Sequence, residues 1–124
     1  MIFQQIKKLI QPGIILQGGG YTVKGFGKKR DGEPTLVYRI RKRTAGKQSE
    51  KNIAASEWEQ AYGQLVGAGE FKRTWFAENM PECARGKPCN FAVIGKVFVF
   101  LEIADEEPRK YVRRHAPVAA RNAS

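Results

Sequence analysis

Apolar side chains recur at Ile2, Phe3, Ile6, Leu9 and Ile10, the spacing of one helical face, until Pro12-Gly13 stops the pattern. A short amphipathic helix is therefore predicted over residues 2–11. Ile14, Ile15 and Leu16 suit an extended segment, and Gly18, Gly19 and Gly20 break it, since three glycines carry too much backbone freedom for an element interior.

After Tyr21 the period changes to two. Tyr21–Lys28 and Thr35–Arg43 read as strands joined by KRDGEP, where Asp31-Gly32 signals a turn. Side chains alternate between the faces of a strand. On the second strand Leu36, Tyr38 and Ile40 share one face, and Arg39, Arg41 and Arg43 share the other. On the first strand Tyr21 and Val23 go together, with Lys24, Phe26 and Lys28 opposite them. The hairpin is expected to have one apolar face and one basic face with Phe26 among the cations. The register that would match the two strands stays open.

Residues 44–52 read as a polar loop. Ser56 and Glu59 have the spacing of a capping box, and Trp58, Ala61, Tyr62, Leu65 and Val66 follow at helical intervals until Gly67 and Gly69. A second helix is predicted over Glu70–Asn79, carrying Phe71, Trp75 and Phe76 and ended by Pro81. These aromatics are read as core. The segment Asn90–Ala104 is ambiguous: Phe91, Ile94, Phe98 and Leu101 fit a helix, whereas Val97-Phe98-Val99-Phe100 suits a strand. Its length favours the helix. Being apolar almost all round, it is buried on every side or buries one side against a second copy of the chain. Asp105 to Pro108 are expected to end it, Lys110–Arg114 to form a short strand, and residues 115–124 a flexible tail.

These elements amount to an α+β fold, an antiparallel hairpin or small sheet packed against a few helices, in a single domain over residues 1–114. A chain of 124 residues, 42% hydrophobic and 27% charged, suits one globular domain and excludes collagen-like, wholly disordered and disulfide-scaffold classes. No uncharged run approaches the roughly 20 apolar residues of a membrane span. Lys7 and Lys8 interrupt what would be the apolar core of a secretory signal, so a cytoplasmic location is expected. Cys83 and Cys89 would remain reduced there. With His115 they are too few for a structural zinc site, which wants four ligands, and no metal or cofactor is expected.

Charge changes the picture more than composition does. The net charge is +10. Residues 21–51 hold ten basic and three acidic groups, a net +7, and residues 108–124 add +5. The middle, residues 52–107, has five basic and nine acidic groups, a net −4. Basic charge gathered in this way is the electrostatic footprint of a polyanion binder, or else a solvated face.

Catalytic patterns are thin. Glu70-Phe71-Lys72 has the E-x-K spacing some nucleases use around a metal, but those place it on a strand with an upstream acid, and here it opens a predicted helix. Neither cysteine has a histidine close in sequence to act as its base, and no phosphate-binding glycine loop occurs. KGFG at residues 24–27 matches the start of an RNA-recognition signature, which Lys28 and Lys29 then break. A winged-helix order is also visible, but its third helix would expose only Asn90, Lys96 and Glu102 for reading DNA, within an acidic region.

The stretch AASEWEQAYGQLVGAGEFKRTWFAENMPEC, followed by PCNFAVIGKVF, resembles segments of small bacterial proteins carried on mobile gene cassettes (integron cassettes), over about residues 53–98. The resemblance implies a bacterial, cytoplasmic accessory protein and brings no catalytic signature with it.

The functional expectation is a non-enzymatic protein binding nucleic acid. Lys24, Lys28, Arg39, Arg41 and Arg43 would contact phosphates and Phe26 would stack a base, with Lys110, Arg113 and Arg114 extending the patch. The alternative is a protein-interaction module. It would bind an acidic protein partner, or form a homodimer through residues 91–104.

Overall fold

The N-terminal periodicity forms a helix, α1 (Ile2–Leu9), with Ile2, Phe3 and Ile6 buried and Lys7 and Lys8 exposed in its last turn. Its first amides need acceptors from elsewhere. They find them across the fold: the Glu59 carboxylate accepts from Ile2 N–H at 3.2 Å and from Phe3 N–H at 2.9 Å. The computed structural model describes residues 1–16, 20–41, 48–85 and 87–114, and of Arg41 and Gln48 the backbone alone. Gly18, Gly19, Arg43 and the expected tail 115–124 thus lie outside the described residues.

After α1, residues 13–16 run along the next strand, with Val23 N–H donating to the Ile14 carbonyl at 2.8 Å and Leu16 N–H to that of Tyr21 at 2.9 Å. The predicted hairpin is present as β1 (Tyr21–Lys28) and β2 (Pro34–Arg41). Gly32 takes φ 89° in the turn, and Asp31 Oδ1 accepts the Glu33 N–H at 2.9 Å. A third antiparallel strand, β3 (Gln48–Ala54), pairs with β2, so the order is β1-β2-β3. This corrects the expected loop 44–52 at residues 48–52, residues 44–47 lying outside the described residues. Of the described β3 side chains only Ile53 and Ala54, at its end, are buried, and the ladder on β2 makes the strand where apolar alternation is absent.

The long helix α2 (Ala55–Ala68) buries Trp58, Ala61 and Leu65 and ends at Gly69, with φ 82°. Its start differs from the expected Ser56/Glu59 box. Glu57 Oε1 accepts the Ala54 N–H at 2.8 Å, Glu33 of the hairpin turn accepts the Ser56 N–H at 2.8 Å, and Glu59 is the acceptor for α1. The helix predicted over 70–79 begins instead with a strand, β4 (Glu70–Lys72), and only then turns into α3 (Arg73–Asn79). Pro81 closes α3 and opens the single turn α4 (Pro81–Ala84).

The ambiguous apolar segment is a helix, α5 (Cys89–Phe100). It stops short of the predicted end. Glu102 takes φ 63°, and Ile103 N–H bonds back to the Phe98 carbonyl at 3.0 Å, the closing bond of a Schellman motif. Ala104–Glu107, expected as the helix end, is β5, and Lys110–Arg113 is β6. With β4 they make a second antiparallel sheet, ordered β4-β6-β5.

The core lies between the two sheets, with α2 and α5 in it. Trp58, Phe71 and Phe76 are buried as expected, and Tyr62 and Trp75 are half-buried. Phe71 is the hub of the aromatic packing, with ring centroids 5.0 Å from Phe91, 6.0 Å from Phe76 and 6.4 Å from Phe98. The indole Nε1 of Trp58 has no hydrogen-bond acceptor in this core. No described helix is long and apolar enough to cross a membrane.

α5 is held at two points. Asn90 in its first turn accepts a hydrogen bond from the Tyr38 hydroxyl of β2. At its middle, Gly95 lies flat against the Tyr111 ring of β6. Phe91, Val93, Ile94, Val97 and Phe98 are all buried within the chain, whereas Val99, Leu101 and Ile103 of the segment 91–104 are half-buried. Phe100, 46% exposed, is the one large apolar side chain that α5 presents to solvent.

A Cβ on Gly95 would fall 1.9 Å from a Tyr111 ring carbon. Gly95→Ala is therefore expected to destabilise the fold by about 1–3 kcal/mol, although alanine is the better helix former. Urea unfolding of Gly95→Ala, Tyr111→Ala and the double variant checks this. The double variant should lose less stability than the two single losses added together.

Candidate nucleic-acid interface

On the first sheet the register decides which side chains share a face. Val23 pairs with Tyr38, but the next pair is Gly25 with Val37, so Lys24 is an extra, bulged residue. One added residue inverts the alternation. Phe26 now stands opposite Leu36 on the core side and packs edge-on against Phe3 of α1, centroids 6.0 Å apart. The bulge turns Phe26 away from the simple alternation with Lys24, while Lys28 keeps its place two residues on; Phe26 is half-buried and lines a shallow pocket with Lys24, Val37 and Glu50.

The cations of this sheet are also partly spent. Lys24 Nζ lies 3.0 Å and Arg39 Nε 3.1 Å from the same Glu50 carboxylate oxygen. Hydrogen bonds from Lys24 and Arg39 hold the Glu50 carboxyl below the usual carboxylate range, so it stays charged at neutral pH. Lys28 is exposed at the strand end, opposite Pro34. The Arg41 side chain and Arg43 lie outside the described residues.

The three C-terminal candidates belong to β6 and its end, on the other sheet. Arg113 points at the Val66 carbonyl, 3.4 Å away, and Arg114 places Nε at 3.0 Å and Nη2 at 2.6 Å from Asp105 Oδ1. Lys110 belongs to a different constellation, which the sequence reading missed. Antiparallel pairing sets Lys72 of β4 directly opposite Lys110 of β6. Each lysine has an arginine beside it: Arg73 opens α3, and Arg109 forms the β5–β6 turn with Pro108. The Arg73 N–H donates to the Arg109 carbonyl at 3.1 Å, which locks the two segments together.

These four cations, with Thr74 and Pro108, line a groove of about 620 Å³ that has no acidic lining residue. Arg109 holds φ 61°, a left-handed conformation that usually falls to glycine or asparagine. The Arg73 guanidinium sits 4.9 Å from the Phe91 ring centroid, within cation–π range. Among the described residues Arg73 and Arg109 have no carboxylate partner within 4.0 Å. The Glu70 carboxylate reaches the two lysines, at 3.1 Å from Lys72 and 3.3 Å from Lys110. The dipeptides Lys72-Arg73 and Arg109-Lys110 were the available signal. Reading 70–79 as one helix hid it, because a helix gives Lys72 no strand neighbour.

Glu70 and Lys72 do lie on a strand, as the E-x-K pattern asks. Both oxygens of that carboxylate face ammonium groups, however, and among the described residues no three His, Cys, Asp or Glu side chains gather where a metal ion would sit.

The thiols lie apart from this groove. The Tyr38 hydroxyl is 3.1 Å from Cys89 Sγ, and Asn90 Nδ2 donates to the Cys83 carbonyl at 3.0 Å. Burial pushes the Cys83 thiol up to about 12, with the nearby Glu57 carboxylate adding to the effect. Burial raises the Tyr38 hydroxyl as well. A thiol so reluctant to ionise is no nucleophile. The cluster instead ties β2 to the start of α5.

Comparison with models of protein families, with curated proteins and with solved structures gives no match.

The folded protein holds the Cys83 proton more tightly than the unfolded chain does. The associated stability is complete below about pH 9 and is lost as the pH climbs towards 12. Urea midpoints are expected to fall between about pH 8 and 10.5, and to fall less in Cys83→Ala. At about pH 8, iodoacetamide should modify the half-exposed Cys89 in the native protein and reach Cys83 only on unfolding, as peptide mapping of the labelled chain would report.

Proposed function

We propose that this protein binds nucleic acid, without catalysing a reaction on it, through phosphate contacts made by Lys72, Arg73, Arg109 and Lys110. The observation that carries the reading is the cross-strand pair Lys72–Lys110 with an arginine beside each lysine. Like charges set directly opposite on neighbouring strands disfavour folding. The Glu70 carboxylate offsets part of that cost, and an anionic ligand reaching all four cations offsets more of it. Arginines fork onto phosphate oxygens, while lysines supply mobile point charges. The Arg73 guanidinium, already resting on Phe91, has a second planar face on which a base can stack. The hairpin cations Lys24 and Arg39, neutralised in part by Glu50, serve as a secondary contact area. An acidic protein partner would find the same groove through carboxylates, which arginine forks also take in bidentate fashion.

The test is fluorescence anisotropy with labelled single- and double-stranded oligonucleotides at about 50 and 200 mM salt. Affinity should drop steeply between the two, with a log–log slope of about −3 for four neutralised phosphates. Lys72→Ala with Arg109→Ala should weaken binding at low salt about tenfold or more and flatten the slope by about 1–2, whereas Lys24→Ala with Arg39→Ala should change it less. Absence of binding at 50 mM salt, or a slope indifferent to the groove variants, overturns the reading. Equal binding of poly-glutamate would transfer the groove to an acidic protein partner.

A further inference from the structure

The Glu70 carboxylate occupies an unusual place. Glu70 and Lys72 lie two residues apart on β4, hence on one face, and Lys110 is the cross-strand neighbour of Lys72. One carboxylate oxygen meets Lys72 Nζ at 3.1 Å and the other meets Lys110 Nζ at 3.3 Å. Two anionic oxygens, each capped by one ammonium, reproduce what two non-bridging oxygens of a phosphodiester would make between the same lysines. The three side chains are 29%, 51% and 35% exposed, so water and ligand reach them. Ion pairs of this exposure are individually weak and exchange readily.

We infer that the space between Lys72 and Lys110 is a phosphodiester subsite that Glu70 fills in the free protein and vacates when nucleic acid binds. This deepens the nucleic-acid reading and rests on it. The carboxylate is an internal competitor. It relieves the repulsion between the two lysines in the free protein, and it sets a threshold that only a ligand with several phosphates in register overcomes. Arg73 and Arg109, which have no such carboxylate among the described residues, make the first contacts. Exchange at the lysine pair follows, with the Glu70 side chain swinging towards solvent. On the first sheet Glu50 also bridges two cations, but Lys24 and Arg39 meet the same carboxylate oxygen, so the geometry of one ammonium on each oxygen belongs to Glu70.

Removing any acid near the groove strengthens polyanion binding by simple field effects, so the test compares two acids. Glu70→Gln keeps the shape and removes the competing charge. Glu107→Gln makes the same change in net charge at a carboxylate that reaches Lys110 only at 3.8 Å and does not bridge the pair. The probe is a labelled single-stranded thymidine decamer at about 50–200 mM salt. Glu70→Gln is expected to bind it about fivefold more tightly than wild type and with a steeper salt slope, while Glu107→Gln gains less than about twofold. Equal gains for the two variants, or a loss of affinity in Glu70→Gln, overturn the displacement. If wild type binds with the expected salt slope and only that comparison fails, the nucleic-acid reading survives without it. If neither wild type nor Glu70→Gln binds the decamer at 50 mM salt, both fall together.

Discussion

Contact between one glycine and one tyrosine ring sets the spacing of this fold. α5 is apolar on almost every side and has to be enclosed, yet the second sheet closes over it only where Gly95 offers no side chain to Tyr111. From that contact the rest follows. Tyr111 is fixed on β6, so β6 is fixed, and with it the partners Phe71 on β4 and Glu106 on β5. Phe71 then brings Phe76, Phe91 and Phe98 into one aromatic cluster. At the other end of α5, Asn90 ties the helix to Tyr38 and so to the first sheet. Two small sheets that share no strand are thereby made one body by α5 together with α2, which packs against strands of both.

The sequence made legible what local chemistry determines. Asp31-Gly32 and the flanking alternation marked the hairpin, and the length of the mostly apolar segment from Asn90 favoured a buried helix over a strand. Elements defined by their partners were hidden. β3 places only Ile53 and Ala54 of its described side chains in the core, β4 has three residues and β5 the string Ala-Asp-Glu-Glu, so each is a strand only because a neighbour supplies its ladder. The bulge at Lys24 was hidden in the same way. A pattern of period two cannot announce where it gains a residue, and that gain carried Phe26 from the basic face to the core. Of the candidate cations, Lys110 was found from its neighbours in sequence. Lys72, Arg73 and Arg109 were missed because their common locus exists only after β4 and β6 pair.

A charge of +10 suggests a surface broadly attractive to anything negative. The structure distributes that charge more selectively. Glu50 within the basic segment, and Glu70, Asp105 and Glu106 of the middle segment, each engage basic side chains, so part of the positive charge is met locally. Among the described cations without a carboxylate in ion-pair range, which include Lys7, Lys8, Lys28, Arg30, Arg85, Lys87 and Arg113, Arg73 and Arg109 are set together on one groove. Such a surface favours partners whose negative charges are spaced to fit it over those that are merely acidic.

The acceptors for the first helix have a consequence for the order in which the chain folds. α1 is only eight residues long, too short to persist alone in water. The carboxylate that takes up its leading amides belongs to Glu59, 57 and 56 positions further along. Residues 2–9 therefore become helical only where α2 is already in place to supply that anion. Forming α1 closes a long loop of chain, so its entropic cost is met by the assembled fold and not by its own sequence. The helicity of this segment thus reports on the rest of the molecule.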